Sequence, residues 1–266
     1  MIALAHLFRA VRAEFYRVGG RRGPLVFAAL PGAVVVPLVV TIAIATVAER
    51  FATMSASGIQ VTSVQTTNSV YWVLTFTVIV WAILAATAQA SAARGPASDL
   101  ERILFPRAWT APVARWLLYG ALSATVALVL TAAVMLVLPA AFPTVYGGVD
   151  ITSSAGLRFV ITVPIYAFLA CGIGVGIGGI VGHPVVTAAV LLGWAFVIEN
   201  SISLAPKGYT LQGYMPFLNG QFGTGQELAF TPPWGPNGAL VYAAVVGAVL
   251  VALACGAAAR RRRPRR

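Results

Sequence analysis

Residues able to do acid, base, nucleophilic or metal chemistry are few and scattered in this chain. The two histidines, His6 and His183, are far apart, so the sequence contains no His-x-x-x-His metal pair. Cys171 and Cys255 lie inside apolar runs and are expected to be packing residues. No histidine stands near a serine or cysteine in a way that would suggest a catalytic triad. The sequence therefore predicts no catalytic residue, no metal ligand and no enzymatic activity of its own.

Nucleotide chemistry has little support either. A P-loop needs Gly-x-x-x-x-Gly-Lys followed by Ser or Thr, and the only lysine, Lys207, precedes Gly208. Residues 174–179 match Gly-x-Gly-x-x-Gly, and Glu199 follows at a fitting distance, but the match lies inside an apolar run. We therefore expect no cofactor on this chain. If the protein is ATP-driven, ATP and Mg²⁺ belong to a separate ATPase.

The same glycines are better explained as helix-packing residues. Small residues spaced four apart allow helix backbones to approach closely in lipid. The fourth apolar run is therefore expected to pack against another span or a second subunit through its glycines, which are Gly172, Gly174, Gly176, Gly178 and Gly182.

Glu199 is the one carboxylate near membrane depth, followed directly by Asn200. Ionisable groups inside a membrane are costly and often functional, which favours a substrate route or gate at these two residues. Glu199 also lies near the end of its apolar run. A structural role therefore stays open, in which the carboxylate reaches water or pairs with Asn200.

The densest group of charges lies in residues 93–116, between two long apolar runs. Charged residues make up only 9% of the chain, yet this stretch contains Arg94, Asp99, Glu101, Arg102, Arg107 and Arg115. We predict that it forms a short helix on which a partner protein acts.

The elements around these residues are those of a polytopic membrane protein. The chain is 59% hydrophobic with a mean hydropathy of +0.87, whereas soluble domains are about 45–50% apolar. Six apolar runs are each long enough for the roughly 20 residues that cross a bilayer core. They are residues 25–47, 70–92, 113–138, 158–181, 185–204 and 237–259. His183-Pro184 marks the tight turn that separates the fourth run from the fifth.

Six spans place both chain ends on one side of the membrane. If that side is the cytoplasm, all but three of the 18 Lys and Arg residues are cytoplasmic, the exceptions being Arg50, Arg158 and Lys207. Cytoplasmic loops carry such an excess of positive charge. The sequence therefore predicts an all-α integral membrane protein of the bacterial cytoplasmic membrane, with six transmembrane helices, both termini cytoplasmic and no separate soluble domain in residues 1–266.

The segments outside the spans have distinct patterns. Residues 1–23 place apolar residues on one helical face among arginines, which predicts an interfacial amphipathic helix. The alternative there is a loosely ordered basic leader; a signal peptide does not fit. Residues 48–69 read as a polar outer connection. Residues 205–236 mix aromatics with Gly, Pro and Asn, which suits either a re-entrant or interfacial hairpin or an aromatic-belt loop on the outer side.

The charged loop contains a more specific pattern. Ser-Asp-Leu-Glu-Arg-Ile-Leu at 98–104 is followed by Phe105-Pro106 and by Ala-Pro-Val-Ala-Arg-Trp at 111–116. This pattern resembles the loop between the second and third spans in the membrane subunit of ABC exporters of the type-2 permease family. That family reads Gly-Thr-Leu-Glu-x-Leu-Leu there, before a proline and a basic residue.

The rest of the layout is similar to that family as well. It includes the basic first helix, the six spans, the tight fourth-to-fifth turn, and the stretch 194–200 followed by Tyr214-Met215-Pro216. One departure is that the acidic residues expected just before the loop are missing, since residues 92–96 read Ala-Ala-Arg-Gly-Pro.

The resemblance implies a pair of permease subunits, identical or different, above two ATPase subunits on the cytoplasmic side. Residues 97–104 would be the coupling helix held by the ATPase. Its apolar face would be Leu100, Ile103 and Leu104, with Asp99, Glu101 and Arg102 at the rim. The alternative is an ordinary solvated loop of amphipathic character.

The leading hypothesis is the transmembrane subunit of an ATP-driven exporter for a hydrophobic, lipid-like or drug-like substrate. A non-transport assembly or immunity subunit and an ion-coupled transporter are the alternatives. Membrane lipid is an expected partner, because the basic tail 260–266 favours anionic lipid. Nucleic acid is not an expected partner, because the positive charge is confined to the chain ends and one loop.

Overall fold

The computed structural model describes residues 2–18, 23, 25–53, 63–94, 96–105 and 107–262. Within these ranges the chain is helical and contains no strand. Its helices are α1 (Ile2–Val18), α2 (Phe27–Ala52), α3 (Thr66–Ala92), α4 (Pro96–Leu104), α5 (Thr110–Ala141), α6 (Pro143–Tyr146), α7 (Ser154–Val181), α8 (Pro184–Leu204), α9 (Gly208–Gln212), α10 (Pro216–Thr224) and α11 (Gly235–Arg261).

Among the described residues, six of these helices are long and apolar enough to cross a membrane, namely α2, α3, α5, α7, α8 and α11. The six predicted apolar runs lie within them, apart from two residues at the start of the first. Most helices are longer than their runs because polar residues in the flanking turns continue the backbone hydrogen-bond ladder. The all-helical fold with six candidate spans is thus confirmed.

Three spans contain π-helical segments, in which the backbone turn is wider than in an α-helix. These segments are Leu25–Val35, which begins two residues before α2 and continues into it, Val73–Thr77 in α3 and Gly193–Ile198 in α8. The first two are joined by a buried hydrogen bond from the Thr77 hydroxyl to the Ala33 carbonyl, at 2.8 Å. A π-helical turn leaves carbonyl oxygens available to side chains, which explains this bond.

Both ends of α7 are defined by local sequence. The Ser153 side chain accepts a hydrogen bond from the Gly156 backbone at 3.0 Å and caps the first turn. The helix stops at Gly182, whose positive φ of 67° favours glycine. His183 then caps α8, and Pro184 is its first residue. The predicted tight turn between the fourth and fifth spans is present here.

The core is built around α7, which packs against α3, α5 and α11. Its residues Phe159, Val163 and Tyr166 are fully buried in the main apolar cluster. The spans α2 and α8 lie at the periphery, and in each only 22% of the most apolar stretch is buried. These two spans therefore present most of their apolar surface to lipid or to another protein.

The bundle has two distinct ends. At one end, here called the α4 end, α1, α4, the start of α5 and the last turns of α3, α7 and α11 come together. At the other, the hairpin end, α9 and α10 form a pair of short helices. Asn219 and Thr224 of α10 are fully buried there.

Some predicted features lie outside the described residues. They are the glycine break at 19–22, residues 54–62 of the polar connection 48–69, Pro106 after α4 and the basic tail from 263 onward.

Candidate functional site

Helix α4 presents an apolar face to its surroundings. Leu100, Ile103 and Leu104 are 57%, 79% and 53% exposed, and their spacing places them on one side of the helix. Asp99 in the first turn is also exposed and forms an ion pair with Arg102 at 3.4 Å. A short helix that leaves three large apolar side chains outside the core has a surface suited to bind another molecule.

The opposite side of α4 is tied to the bundle through Glu101. Its carboxylate accepts a charge-assisted hydrogen bond from Nη2 of Arg115 in α5. Arg115 is fully buried, and the same nitrogen lies 2.8 Å from the carboxylate of Glu14 in α1. Its Nη1 donates to the Gln89 amide oxygen of α3 at 2.7 Å. One guanidinium thus joins α1, α3, α4 and α5.

These side chains form an electrically balanced group, called here the Arg115 cluster. Its members are Glu14, Arg17, Gln89, Glu101 and Arg115. Arg17 Nε lies 3.3 Å from Glu14 Oε2, so two guanidinium charges face two carboxylates. Burial requires this balance, because an unpaired charge in a low-dielectric interior is strongly destabilising. The rigid fork of arginine donors can hold several acceptors at once, which a lysine cannot do.

A second set of contacts fixes α4 to the end of α11. Arg102 donates to the Arg261 carbonyl at 2.8 Å, and Arg262 donates to the Phe105 carbonyl, just after α4, at 2.7 Å. Burial and the positive charge of Arg102 lower the pKa of Arg262. Each bond places a cation at a helix C-terminus, where unpaired carbonyls favour positive charge. These two bonds therefore connect α4 to the end of α11.

The six residues predicted to contact an ATPase divide into two groups. Asp99 and the three apolar side chains of α4 are exposed. Glu101 and Arg102 instead bind within the chain and hold α4 in place.

The sequence pattern does not predict the Arg115 cluster, although it contains part of the signal. Arg115 belongs to the charged stretch 93–116, yet it also lies inside the apolar run 113–138, where a charge often marks a functional residue. Gln89 is a similar polar residue within a predicted span. The pairing of Glu14 with Arg115 has no sequence signal, because it depends on how α1 packs against α5.

At the hairpin end, Glu199 is fully buried and both of its carboxylate oxygens are hydrogen-bonded. Oε1 accepts from the Trp194 indole at 2.8 Å and from the Phe217 backbone at 3.1 Å, and Oε2 accepts from the Leu218 backbone at 2.8 Å. Both backbone donors lie in the first turn of α10, where a carboxylate satisfies unpaired N–H groups. The Gln212 amide of α9 also donates to the Glu199 carbonyl, at 3.1 Å. Glu199 therefore anchors both short helices to α8.

Asn200 binds within its own span, next to a small cavity. Its amide donates to the carbonyl oxygens of Ala195 at 3.0 Å and Phe196 at 3.2 Å, in the π-helical segment of α8. The cavity, about 80 Å³, lies between α3, α8 and α10, and Glu199, Asn200 and Thr75 line it. The Thr75 hydroxyl has no hydrogen-bond partner among the described residues. The two residues predicted to form a substrate route thus lie together beside a cavity.

Two of the predicted packing glycines face α3. A Cβ at Gly174 would overlap the carbonyl of Ala82, and one at Gly178 would overlap the carbonyl of Ala86. The backbones of α7 and α3 therefore approach as closely as small residues allow, within one chain.

The other three glycines have different neighbours. Gly172 lies against the indole of Trp116 in α5, and a Cβ at Gly176 would overlap Leu250 of α11. Gly182 has the positive φ that ends α7. The glycines of α7 are thus distributed over three faces of the helix and do not form one stripe.

Within the described residues, no group of three His, Cys, Asp or Glu side chains lies close enough to hold a metal ion. Comparison of the chain with protein-family models, with curated proteins and with solved structures finds no match. The functional assignment therefore depends on the geometry of the two ends of the bundle.

Proposed function

We propose that this chain is the transmembrane subunit of an ATP-driven exporter of the type-2 ABC permease kind, energised by a separate ATPase that binds α4. One observation carries the proposal: α4 combines an exposed apolar face with a buried ionic connection to the spans. A helix built in this way can bind a partner on one side and transmit its movement on the other. ATP and Mg²⁺ are bound and hydrolysed by the partner.

The Arg115 cluster supplies the route for that movement. When the ATPase displaces α4, Glu101 moves with it and pulls on the Arg115 guanidinium at the start of α5. Gln89 and Glu14 bind the same guanidinium, so the end of α3 and the whole of α1 follow. A mechanical coupling of this kind needs contiguous, stiff contacts between the two sites, and paired buried charges provide them.

The orientation in the proposal places the α4 end in the cytoplasm of a bacterium, with the chain as a multi-pass protein of the cytoplasmic membrane. The positive-inside rule supports this, because the arginines of α1, α4 and the end of α11 gather at this end. Leu4, Phe8 and Phe15 of α1 are exposed on one face, as an interfacial helix requires.

The proposal includes a second permease subunit, identical or different. The large apolar surfaces of α2 and α8 are available for such a pairing. The proposed substrate class is hydrophobic or lipid-like, since the spans carry few charged side chains that could bind a polar substrate.

The decisive experiment is co-purification of the chain with the ATPase encoded beside its gene, followed by ATP-dependent transport in proteoliposomes. Ile103→Asp should weaken the complex about tenfold or more, because burial of a large apolar side chain contributes about 1.5–3 kcal/mol. Tyr209→Asp is the matched control: it places the same charge at an exposed position on the hairpin end and should leave the complex intact.

The outcomes separate the candidate functions. A complex whose ATPase activity and transport both fall with Ile103→Asp supports the exporter. A stable complex without ATP-dependent transport would assign the chain to a non-transport assembly or immunity role. If no complex forms with any ATPase, α4 is not a coupling helix.

A further inference from the structure

A groove lies between α1 and the C-terminal end of α4, on the flank of the bundle. It has a volume of about 480 Å³, within the roughly 300–1,000 Å³ of small-molecule sites. Three nitrogen-bearing side chains of α1 line one wall, His6, Arg9 and Arg12, and Leu104 and Phe105 line the other. The two walls are thus chemically different, one basic and one apolar.

The basic wall has no carboxylate to neutralise it. Among the described residues that line the groove there is no Asp or Glu, and neither Arg9 nor Arg12 takes part in an ion pair. Their hydrogen bonds are long: Arg9 lies 3.4 Å from the Ala5 carbonyl and 3.4 Å from His6 Nδ1, and Arg12 lies 3.3 Å from the Tyr16 hydroxyl. The Arg12 guanidinium also lies over the Tyr16 ring, 5.7 Å from its centroid. Both guanidiniums therefore remain able to bind an anion in the bidentate geometry that arginine and phosphate adopt.

The faces of α1 fix the depth of the groove relative to the membrane. Ala10, Glu14 and Val18, spaced four apart, are buried against the bundle. Leu4 and Phe8 lie on a neighbouring face, are exposed, and need an apolar environment. Arg9 and Arg12 follow next around the helix, so they border the apolar face at the level where lipid headgroups lie.

From this arrangement we infer that the groove between α1 and α4 binds the phosphate headgroup of an anionic glycerophospholipid. The phosphate lies between Arg9 and Arg12, and the glycerol and upper acyl carbons lie against Leu104, Phe105 and Ala13. A lipid is favoured over a soluble anion because the groove pairs its cations with an apolar wall. This inference does not depend on the exporter function, since it requires only that the α4 end meets a membrane surface with anionic lipid.

A bound lipid would touch both helices that the Arg115 cluster joins. It contacts α1 through its arginines and α4 through Leu104, on the outside of the ion pair between Glu101 and Arg115. The fraction of anionic lipid in the membrane would therefore set how firmly α4 is held.

The test uses the full-length chain in detergent and native mass spectrometry, with dioleoylphosphatidylglycerol and dioleoylphosphatidylcholine at equal concentrations. The wild-type chain should retain phosphatidylglycerol preferentially. Arg9→Gln with Arg12→Gln should reduce that preference by about 25-fold, since each basic residue near an anionic surface contributes about fivefold. The control Arg94→Gln with Arg107→Gln removes the same charge from two exposed arginines of the same end that lie outside the groove. It should leave the preference within about twofold, because in detergent only the arginines that contact the bound headgroup act on it.

Each alternative result overturns the inference in a recognisable way. Equal losses in both double variants would mean that lipid binds by diffuse charge and not in the groove. Displacement of phosphatidylglycerol by equimolar inorganic phosphate would identify a simple anion site. Unchanged lipid preference in Arg9→Gln with Arg12→Gln, combined with loss of ATPase binding, would assign the groove to the protein partner. The unfolding temperature of the lipid-free variants checks that they are folded.

Discussion

At the scale of single residues, Arg115 is the most demanding group in the protein. A guanidinium with no solvent exposure is tolerated only because two carboxylates and an amide oxygen surround it. Buried ion pairs often add little to stability compared with apolar packing, but they are very sensitive to the loss of one partner. Such a cluster is therefore better suited to fix four helices in one arrangement than to stabilise the fold.

We predict that Arg115→Gln destabilises the protein by about 3–5 kcal/mol, because the partly buried Glu101 loses its counter-charge and the buried Glu14 keeps only Arg17. Thermal unfolding in detergent measures the loss. Adding Glu101→Gln to the same chain should recover part of it, since one of the orphaned charges is removed. The exposed Arg107→Gln is the control and should stay within about 0.5 kcal/mol of wild type. If Arg115→Gln alone is as stable as the control, the side chains of the cluster are solvated and not buried.

Glu199 gives a second residue-scale prediction. Glu199→Gln keeps the shape of the side chain but replaces one acceptor oxygen by an N–H donor facing backbone N–H groups of α10. We expect a loss of about 1–3 kcal/mol for the unsatisfied donors. Faster hydrogen exchange over residues 216–224 should accompany it. The transport rate should decrease only in proportion to the amount of folded protein. A variant with wild-type stability and exchange but no transport would instead assign Glu199 to the substrate route.

At the scale of helices, the close approach of α7 and α3 depends on two glycines. We predict that Gly174→Ala destabilises the protein by about 1–3 kcal/mol, because the added methyl group overlaps the Ala82 carbonyl and the helices must separate. Gly256→Ala in α11 is the control: its Cβ has nothing within 4 Å, so it should be neutral or stabilising by up to about 1 kcal/mol. Equal unfolding temperatures for the two variants would contradict the close packing.

The helices also show what could be predicted from sequence. Hydropathy located all six spans, because length and apolarity are properties of each segment alone. The turn at His183-Pro184 can also be predicted, because it depends only on the local sequence. After α8 the sequence leaves a hairpin and a loop open and does not specify the two short helices, since Glu199 caps α10 from a distance and nothing near Pro216 signals that contact. The Arg115 cluster cannot be predicted from the sequence either, because its members lie on four helices and the sequence pattern does not specify how these helices pack.

At the scale of the whole molecule, most of the described arginines lie at one end of the bundle, and the short helices α9 and α10 lie at the other. This arrangement predicts the sidedness of chemical labelling in cells. In a chain whose own cysteines are replaced, Thr152→Cys at the hairpin end should react with a membrane-impermeant maleimide in intact cells. Arg107→Cys, also exposed but at the α4 end, should react only after permeabilisation. Labelling of both positions in intact cells would contradict the proposed orientation.

The ion pair between Glu14 and Arg115 has a further consequence for the order in which the protein is made. Glu14 leaves the ribosome early, and its buried partner follows only after two spans and α4 have been synthesised. Until then α1 lacks both the α5 surface against which it packs and the guanidinium that pairs with its carboxylate. Docking of α1 is therefore a late event in biogenesis, and it can occur only in chains whose first three spans have inserted in the correct topology.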